Sequence, residues 1–187
     1  MYSVIVSVVA VAILQLTEAR IGTGSCARPP TQQNFNLTRY LGQWYGQVEY
    51  SAIFNVGVSC SRARYSLKPN GHLRIFNQGF YRLIGQPVSV EGDAYVISES
   101  NRATLSVKFF SVLPPAPYLI VETDYDNYSV VYSCEKIGFL KSETAWVLTR
   151  STTGLSEDTL HSVLQRLESY GIESDHFSRI TQSDCPF

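Results

Sequence analysis

Hydrophobic and polar residues alternate along much of the chain in short segments, which is the pattern of half-buried β-strands. The clearest segment covers residues 61–67, where Ala63 and Tyr65 alternate with Arg62 and Arg64. If Tyr65 faces a core, both arginines therefore face water. Eight such segments are predicted, at residues 44–51, 61–67, 72–83, 88–98, 103–110, 118–124, 128–136 and 144–149.

Residues that favour turns separate the predicted strands. The run Lys68-Pro69-Asn70-Gly71 predicts a hairpin, because proline fixes φ while asparagine and glycine tolerate positive φ. Gly79, inside the third segment, predicts a β-bulge. Pro114, Pro115 and Pro117 make a stiff connection before the sixth strand.

A single helix is predicted after the eighth strand. Ser156 is a suitable N-cap, and Glu157 and Asp158 in the first turn complement the helix dipole. Gly171 marks the end of the helix. A short final strand is predicted at residues 177–181. The apolar face of the helix is expected to pack on the outside of the sheet, and it consists of Leu160, Val163, Leu164 and Leu167.

These elements predict an all-β domain, an eight-stranded up-and-down antiparallel barrel with one C-terminal helix on its outside. A closed barrel has no exposed strand edges, and eight strands leave an interior large enough for one small ligand. The alternative is an immunoglobulin-like sandwich, which carries a tryptophan between its two core cysteines. Here Trp44 precedes Cys60, and no tryptophan lies between Cys60 and Cys134.

The N-terminus predicts export from the cell. Residues 4–16 form an apolar run that is too short to span a bilayer, and small residues at Thr17 and Ala19 predict signal-peptide cleavage after Ala19. An apolar N-terminal strand or a membrane anchor is the alternative. No second long apolar run follows. We therefore expect a signal peptide at residues 1–19, a single domain at residues 20–187, an extracellular location and no stable membrane insertion.

The charge and the aromatic content of the chain indicate which kinds of molecule it can bind. The formal net charge is −1, and Glu18 is the one charged residue in the predicted signal peptide, so the mature chain is neutral. Neutrality argues against nucleic-acid binding and against polybasic docking on membranes. The 12 tyrosines and 9 phenylalanines favour strands and also suit a cavity for a flat apolar ligand.

The four cysteines predict two disulfides in an exported chain, and the sequence by itself allows three pairings. No two cysteines are close enough for a C-x-x-C motif, so no metal site is predicted. Asn36-Leu37-Thr38 and Asn127-Tyr128-Ser129 are acceptor sequences for glycosylation of Asn36 and Asn127. Either asparagine remaining unmodified is the alternative.

Three separated motifs resemble the lipocalin family: Gly42-Gln43-Trp44, Thr123-Asp124-Tyr125 and Arg150. The stretch from Ala116 to Cys134 is similar to the apolipoprotein D branch, which includes arthropod bilin-binding proteins and crustacyanins. The similarity runs from about Cys26 to Cys185. Residues 57–59 and 79–86 depart from the pattern of that branch, so the resemblance does not identify the ligand.

The resemblance implies specific roles. Disulfides are expected between Cys26 and Cys134 and between Cys60 and Cys185. Gly42, Trp44, Thr123, Asp124, Tyr125 and Arg150 are the structural signature, in which Arg150 stacks on the Trp44 indole and seals the narrow end. The positions that match ligand contacts in the branch are Tyr65, Asn77, Tyr118 and Trp146. Packing of an ordinary filled core is the alternative for the aromatic residues, and bonding to neighbouring backbone is the alternative for Asn77.

Strand parity extends these assignments. If Trp44 faces inward, Val48 and Tyr50 do so as well, and Glu122 shares the parity of Tyr118. Trp146 shares a face with Arg150. Phe54 and Val56 are candidate rim contacts in the first connecting loop.

The function predicted from these features is that of a secreted carrier for a small hydrophobic molecule, such as a lipid, sterol, retinoid or pigment, with no other cofactor. The alternative is a carotenoid- or bilin-binding subunit of an oligomer. Catalysis is not predicted, because His72, His161 and His176 form no recognisable nucleophile–base arrangement.

Overall fold

A computed structural model describes residues 20–50, 57–98 and 101–187, and within them the chain forms ten strands and two α-helices. The predicted signal peptide, Phe54 and Val56 lie outside these residues. The strands are β1 (Arg20–Thr23), β2 (Gly42–Tyr50), β3 (Val58–Leu67), β4 (Leu73–Tyr81), β5 (Gln86–Ser98), β6 (Asn101–Lys108), β7 (Ala116–Thr123), β8 (Tyr128–Ile137), β9 (Leu140–Thr149) and β10 (Phe177–Arg179). The helices are α1 (Leu37–Tyr40) and α2 (Glu157–Ser169), and a 3-10 turn covers Ser174–His176.

Strands β2 to β9 form a closed antiparallel barrel. Each strand pairs with the next along the chain, and β9 also pairs with β2, which closes the sheet. This up-and-down topology confirms the predicted fold class. Two short strands extend the sheet outside the barrel. The final strand, predicted at residues 177–181, is β10 and pairs with β2, and β1, which the sequence did not indicate, pairs with β9.

Strand direction gives the barrel two different ends. The connections β3–β4, β5–β6 and β7–β8 lie at one end, together with α1 and the start of β2. We call this the closed end. The connections β4–β5, β6–β7 and β8–β9 lie at the opposite end, which we call the open end.

Two irregularities in strand pairing change which residues face the interior. The β2–β9 register shifts between Gly46 and Val48. Beyond this bulge Val48 and Tyr50 join the core between barrel and helix, so the prediction that they face inward is wrong. A β-bulge inserts one extra residue, and this reverses the alternation after it.

The same effect corrects the prediction for Glu122. The β7–β8 register shifts between Ile120 and Glu122. Glu122 therefore faces outward, where its carboxylate accepts hydrogen bonds from Arg166 of α2 at 2.7 Å and from the Tyr128 hydroxyl at 3.2 Å.

The bulge predicted at Gly79 lies instead on the partner strand. Pairing of β4 with β5 is regular through Gly79, whereas the β3–β4 register shifts between Ser59 and Arg62. A Cβ atom at position 79 would lie 3.0 Å from Cγ1 of Val58. Glycine is therefore favoured here by close packing against Val58 rather than by an extra residue on β4.

Helix α2 covers the outer face of the barrel, as predicted. The Ser156 hydroxyl accepts a hydrogen bond from the Thr159 amide, which caps the helix, and the predicted C-terminal Gly171 follows two residues after its last turn. Leu160, Val163 and Leu167 are buried against outward-facing residues of β2, β7, β8 and β9, and Leu164 packs on the same cluster. No helix in the described part of the chain is long and apolar enough to cross a membrane.

Two disulfides attach the terminal segments to the barrel. Cys26 is bonded to Cys134 of β8, and Cys60 of β3 is bonded to Cys185. This is the pairing that the resemblance implies. The bonds close loops of 108 and 125 positions, and the chain-entropy model assigns about 4–5 kcal/mol to each loop of this length.

Candidate functional site

Trp44 and Arg150 close one end of the barrel. The Trp44 side chain is fully buried, and the Arg150 guanidinium carbon lies 3.6 Å from the centroid of its ring. The indole N–H donates to the Tyr40 carbonyl at 2.9 Å. Gly42 begins β2 with φ of +99°, and a Cβ there would lie 3.3 Å from the Arg150 guanidinium. Glycine thus allows both the left-handed turn and the close approach of arginine.

Arg150 also ties three separate segments of backbone together. Its guanidinium donates to the carbonyls of Tyr125 at 2.9 Å, Gln43 at 2.8 Å and Arg39 at 3.0 Å. Burial lowers the pKa of the Arg150 guanidinium from its ordinary value, which still leaves arginine charged at neutral pH.

The signature turn between β7 and β8 is organised by Asp124. Its carboxylate accepts hydrogen bonds from the amides of Asn127 at 2.8 Å and Tyr128 at 3.0 Å, and from the Asn127 side chain at 2.7 Å. Burial alone raises the pKa of Asp124, but these donors outweigh it and the net pKa lies below the ordinary value. Thr123 Oγ1 accepts from the amide of Tyr125, whose hydroxyl in turn accepts from the Asn36 amide.

Three of the four predicted ligand residues meet inside the barrel. The hydroxyls of Tyr65 and Tyr118 are 2.6 Å apart, and the rings of Tyr118 and Trp146 stack with centroids 6.3 Å apart. Tyr65 is buried, whereas Tyr118 and Trp146 pack against the interior core and are only partly buried. Burial raises the pKa of both tyrosines, so this hydrogen bond joins two neutral phenols at neutral pH.

Asn77, the fourth predicted residue, contributes a polar atom without a partner. It pairs in register with Ala63 of β3 and Val90 of β5. Ala63 belongs to the interior core, and directly opposed residues share a face of the sheet, so Asn77 faces the interior. Its Oδ1 is buried and has no hydrogen-bond partner among the described residues. Such an atom normally finds a partner in a folded protein.

Two interior residues were missed by sequence reasoning. Tyr40 is fully buried, its ring lies tilted against the Trp44 ring with centroids 5.2 Å apart, and its hydroxyl forms a hydrogen bond with the Ser129 hydroxyl at 3.1 Å. The sequence signal that could have identified Tyr40 as an interior residue is its position two residues before Gly42 of the signature. Glu49 is buried and lies opposite Trp146 in register, so it faces the interior. Only the bulge beside Gly46 places it there.

One group of side chains on the described surface has the spacing of metal ligands. The ligand atoms of Glu173, Asp175 and His176 lie within 4.8 Å of one another. Glu173 is already bonded to Arg20 at 2.7 Å and to His176 at 2.6 Å. The group is therefore explained as an ion-pair network, and it lies outside the barrel.

Known proteins are similar to this chain in sequence and in fold. The family model described as a lipocalin-like domain matches residues 35–182. Apolipoprotein D of Cavia porcellus is 38% identical over 164 residues, covering 87% of this chain and 85% of that protein. The Lazarillo protein of Schistocerca americana is 29% identical over 178 residues, covering 93% and 82%.

Solved structures with the same fold include two arthropod proteins. Lobster apocrustacyanin A1 matches with a TM-score of 0.74 at 24% identity, covering 89% of this chain and 93% of that chain. Insecticyanin from Manduca sexta matches with a TM-score of 0.73 at 20% identity, covering 89% and 90%. At these identities the likeness concerns the fold alone.

Proposed function

Because the chain belongs to the lipocalin family, we propose that it is a secreted carrier that binds one small hydrophobic molecule non-covalently inside the barrel. The ligand occupies the open half of the interior, above the end sealed by Trp44 and Arg150. It contacts the Tyr118 and Trp146 rings, with Tyr65 behind them.

The main support is the incomplete burial of inward-facing side chains at one level of the barrel. Tyr118 and Trp146 retain accessible surface while packing on the interior core, whereas Trp44 at the closed end has none. An interior filled by side chains would bury all three. The Oδ1 of Asn77 has no partner and is a hydrogen-bond acceptor, so a hydroxyl or amide group of a ligand could donate a hydrogen bond to it.

Apolar burial is sufficient to hold such a ligand. A molecule that hides on the order of 300 Å² of apolar surface gains roughly 7 kcal/mol before the costs of association. Those costs reduce the net free energy, and they are smallest where the pocket is already formed before binding. Micromolar affinity or better is therefore expected if the pocket is preformed.

The proposal has two further parts: the protein binds its ligand without catalysing a reaction, and it acts outside the cell. All four cysteines are consumed in the two disulfides, which removes the strongest nucleophile, and disulfides suit an oxidising compartment. The proposed glycosylation sites, Asn36 and Asn127, are exposed at the closed end, away from the proposed entrance.

The test is ligand titration of the full chain, expressed in insect cells and purified with its disulfides intact. A panel of fatty acids, sterols, retinoids, carotenoids and bilins is added while tryptophan fluorescence is recorded, and native mass spectrometry gives the stoichiometry. Saturable one-to-one binding is expected for at least one class. The visible absorption of material from its natural source distinguishes a pigment from a colourless lipid.

Matched variants locate the site. Tyr118→Leu is expected to lower affinity about tenfold, since it removes ring contact and the phenol. Asn77→Leu weakens ligands that carry a hydroxyl or amide and spares pure hydrocarbons. Tyr95→Leu, on the outer face of β5 and 43% exposed, is the control and leaves affinity unchanged. The proposal fails if no ligand saturates, or if the control loses as much affinity as Tyr118→Leu.

A further inference from the structure

The inner face of β8 and β9 becomes polar toward the open end of the barrel. Val131 belongs to the interior core and lies opposite Trp146, and residues two positions apart on a strand share a face. Toward the mouth, the next pairs on this inner face are Ser133 with Thr144 and Glu135 with Ser142. All four are partly buried, as expected for side chains that line a space. We call these four residues the polar track.

Glu135 brings a carboxylate to the mouth of the barrel. Burial raises the pKa of this carboxyl, without an opposing effect from any positive charge in the described part of the chain. The lysines of the same hairpin lie on its other face, since Lys136 and Lys141 oppose each other one position away. Lys141 pairs on that outer face with Glu143 at 2.8 Å. The hairpin therefore carries an acid on its inner face and its lysines on its outer face.

Glu49 places a second carboxylate on the inner wall. It is buried and lies directly opposite Trp146, and the Cβ atoms of directly opposed residues are about 4.5–5.5 Å apart. The Trp146 ring stacks on the Tyr118 ring with centroids 6.3 Å apart, and both side chains keep accessible surface. A carboxylate and two aromatic rings therefore lie at one level of the interior.

No arginine, lysine or histidine occupies an inward-facing position of the eight barrel strands, as far as the structure describes them. Strand register fixes these positions, because directly opposed residues share a face of the sheet. Arg62 and Arg64, for example, flank the inward-facing Ala63. Arg150 follows β9 at the closed end, where it lies against the Trp44 ring. The open half of the interior thus holds two carboxylates without a fixed cation on its walls.

We propose that the ligand of this barrel is an amphiphilic amine, whose protonated nitrogen binds beside Glu49 and whose hydrophobic body lies along the inner wall of β4 to β6. This inference rests on the carrier function proposed above and names the class of ligand. An ammonium group is attracted both by a carboxylate and by the faces of tryptophan and tyrosine rings. Glu135 and the hydroxyls of the polar track attract the same group at the mouth.

The wall that faces the hydrophobic body is mainly aliphatic. Inward-facing residues of β4, β5 and β6 that belong to the interior core include Ile75, Ala94, Leu105 and Val107. Asn77 adds a polar atom to this wall, and its buried Oδ1 has no partner among the described residues. A carbonyl oxygen accepts hydrogen bonds, as a carboxylate does. The interior therefore offers acceptors to the N–H groups of an amine and no charged donor to an anion.

The same charges select against fatty acids. A fatty-acid carboxylate in the open half would lie near two other carboxylates without a cation to pair with, and burial of an unpaired charge is costly. An alcohol of equal length has neither the attraction of the amine nor the repulsion of the acid. Affinity should therefore decrease from amine to alcohol to carboxylate when the hydrocarbon chain is kept constant.

The test compares three ten-carbon probes that differ in the head group: decylamine, decanol and decanoate. Binding of each probe to the full chain, with its disulfides intact, is measured at pH 7 by quenching of tryptophan fluorescence and by native mass spectrometry. We expect decylamine to bind about tenfold more tightly than decanol, and decanoate to bind most weakly.

Isosteric variants remove one negative charge at a time. Glu49→Gln is expected to lower the ratio of decylamine affinity to decanol affinity about tenfold, and Glu135→Gln about threefold, because Glu135 lies nearer to water. Glu91→Gln is the matched control, since Glu91 lies on the outer face of β5 and is bonded to Arg74 at 2.6 Å. It should leave all three affinities unchanged. Circular dichroism establishes that each variant is folded, and Glu135→Gln decides the result if Glu49→Gln does not fold.

Three results would overturn the proposal. One is a native chain that binds decanol or decanoate as tightly as decylamine. Another is an unchanged affinity ratio in every folded variant of the two inner glutamates. The last is an equal loss in Glu91→Gln, which would assign amine binding to the general charge of the surface. The carrier function is judged separately: it stands if decanol or decanoate saturates the barrel, and it fails together with this inference if no probe of any head group binds.

Discussion

Replacement of Arg150 by lysine tests whether the closed end is held by the shape of the guanidinium or by its charge. Arginine lies over the Trp44 ring at 3.6 Å and donates to the carbonyls of Gln43, Tyr125 and Arg39 at 2.8–3.0 Å. Lysine keeps the positive charge. Its single nitrogen cannot lie over the ring and also reach three carbonyls that surround a planar group.

The expected cost follows from the contacts that lysine loses. The cation–π contact contributes about 0.5–2 kcal/mol and is partly kept. Each hydrogen bond from a charged donor contributes about 1.5–3 kcal/mol when buried, and less at this partly buried position. Loss of two of the three bonds gives about 2 kcal/mol for Arg150→Lys, and loss of every contact gives about 4 kcal/mol for Arg150→Ala. These values correspond to decreases in Tm of about 4–8 °C and 8–16 °C.

Urea unfolding followed by circular dichroism, with the disulfides intact, measures these differences. Trp44 fluorescence reports on the closed end in the same experiment. Arg64→Lys and Arg64→Ala are matched controls on the exposed outer face of β3 and should remain within about 0.5 kcal/mol of the native chain. An Arg150→Lys variant as stable as the native chain would refute the reasoning, because charge alone would then be sufficient.

Three further predictions concern other parts of the fold. The pKa of Asp124 is lowered in the folded chain, so its carboxylate stabilises the fold above the unfolded pKa of about 3.9, and this contribution disappears as pH falls through the folded pKa. Urea unfolding should therefore show that Asp124→Asn costs less stability in acid than at neutral pH. Burial raises the pKa of Tyr40 to about 12 and also raises that of Tyr65. The contribution of these neutral phenols to the free energy of unfolding should therefore be fully present below about pH 10 and decline above it. Phenolate absorbance should show that these tyrosines ionise at higher pH than exposed tyrosines, or only when the chain unfolds. Replacement of Cys60 and Cys185 by alanine should lower the free energy of unfolding by about 2–5 kcal/mol, measured by urea unfolding against the native chain.

The elements that alternate in sequence were predictable because sheet geometry repeats every two residues. The strand around Ala63 and Tyr65 shows this, since its inward and outward residues follow from the pattern alone. The helix was equally clear from its cap at Ser156 and its apolar spacing. Strand β1 was missed, because four residues on the edge of the sheet bury too little to leave a pattern.

β-Bulges caused most of the wrong predictions of which residues face the interior, because no consistent sequence pattern identifies the one inserted residue. Gly46 lies at the β2 bulge and was a usable signal, because glycine inside a strand often accompanies one. Gly79 offers the same signal and has no extra residue on its own strand. Val121 lies at the β7 irregularity without any glycine. Glycine therefore indicates a place where backbones approach closely, and only the register reveals which strand holds the extra residue.

The candidate site was predictable as a set of positions but not as a set of contacts. The 2.6 Å bond between the Tyr65 and Tyr118 hydroxyls joins β3 to β7, which are not neighbours in the sheet. Their meeting depends on the tilt and closure of the barrel. The unpartnered oxygen of Asn77 likewise depends on what surrounds it across the interior, which strand alternation does not describe.

The β2 bulge links the fold to the proposed carrier function. Without it, Tyr50 and Val48 would point into the open half of the barrel, beside Trp146. The bulge turns both residues outward, where they complete the core beneath α2, and it places Glu49 opposite Trp146 instead. One strand thus supplies Trp44 to seal the closed end and Tyr50 to hold the helix. The bulge thus keeps the Tyr50 ring out of the interior, where Tyr118 and Trp146 pack on the inner core and keep part of their surface accessible. A single shift of register therefore places Tyr50 in the outer core and removes its ring from the proposed ligand site.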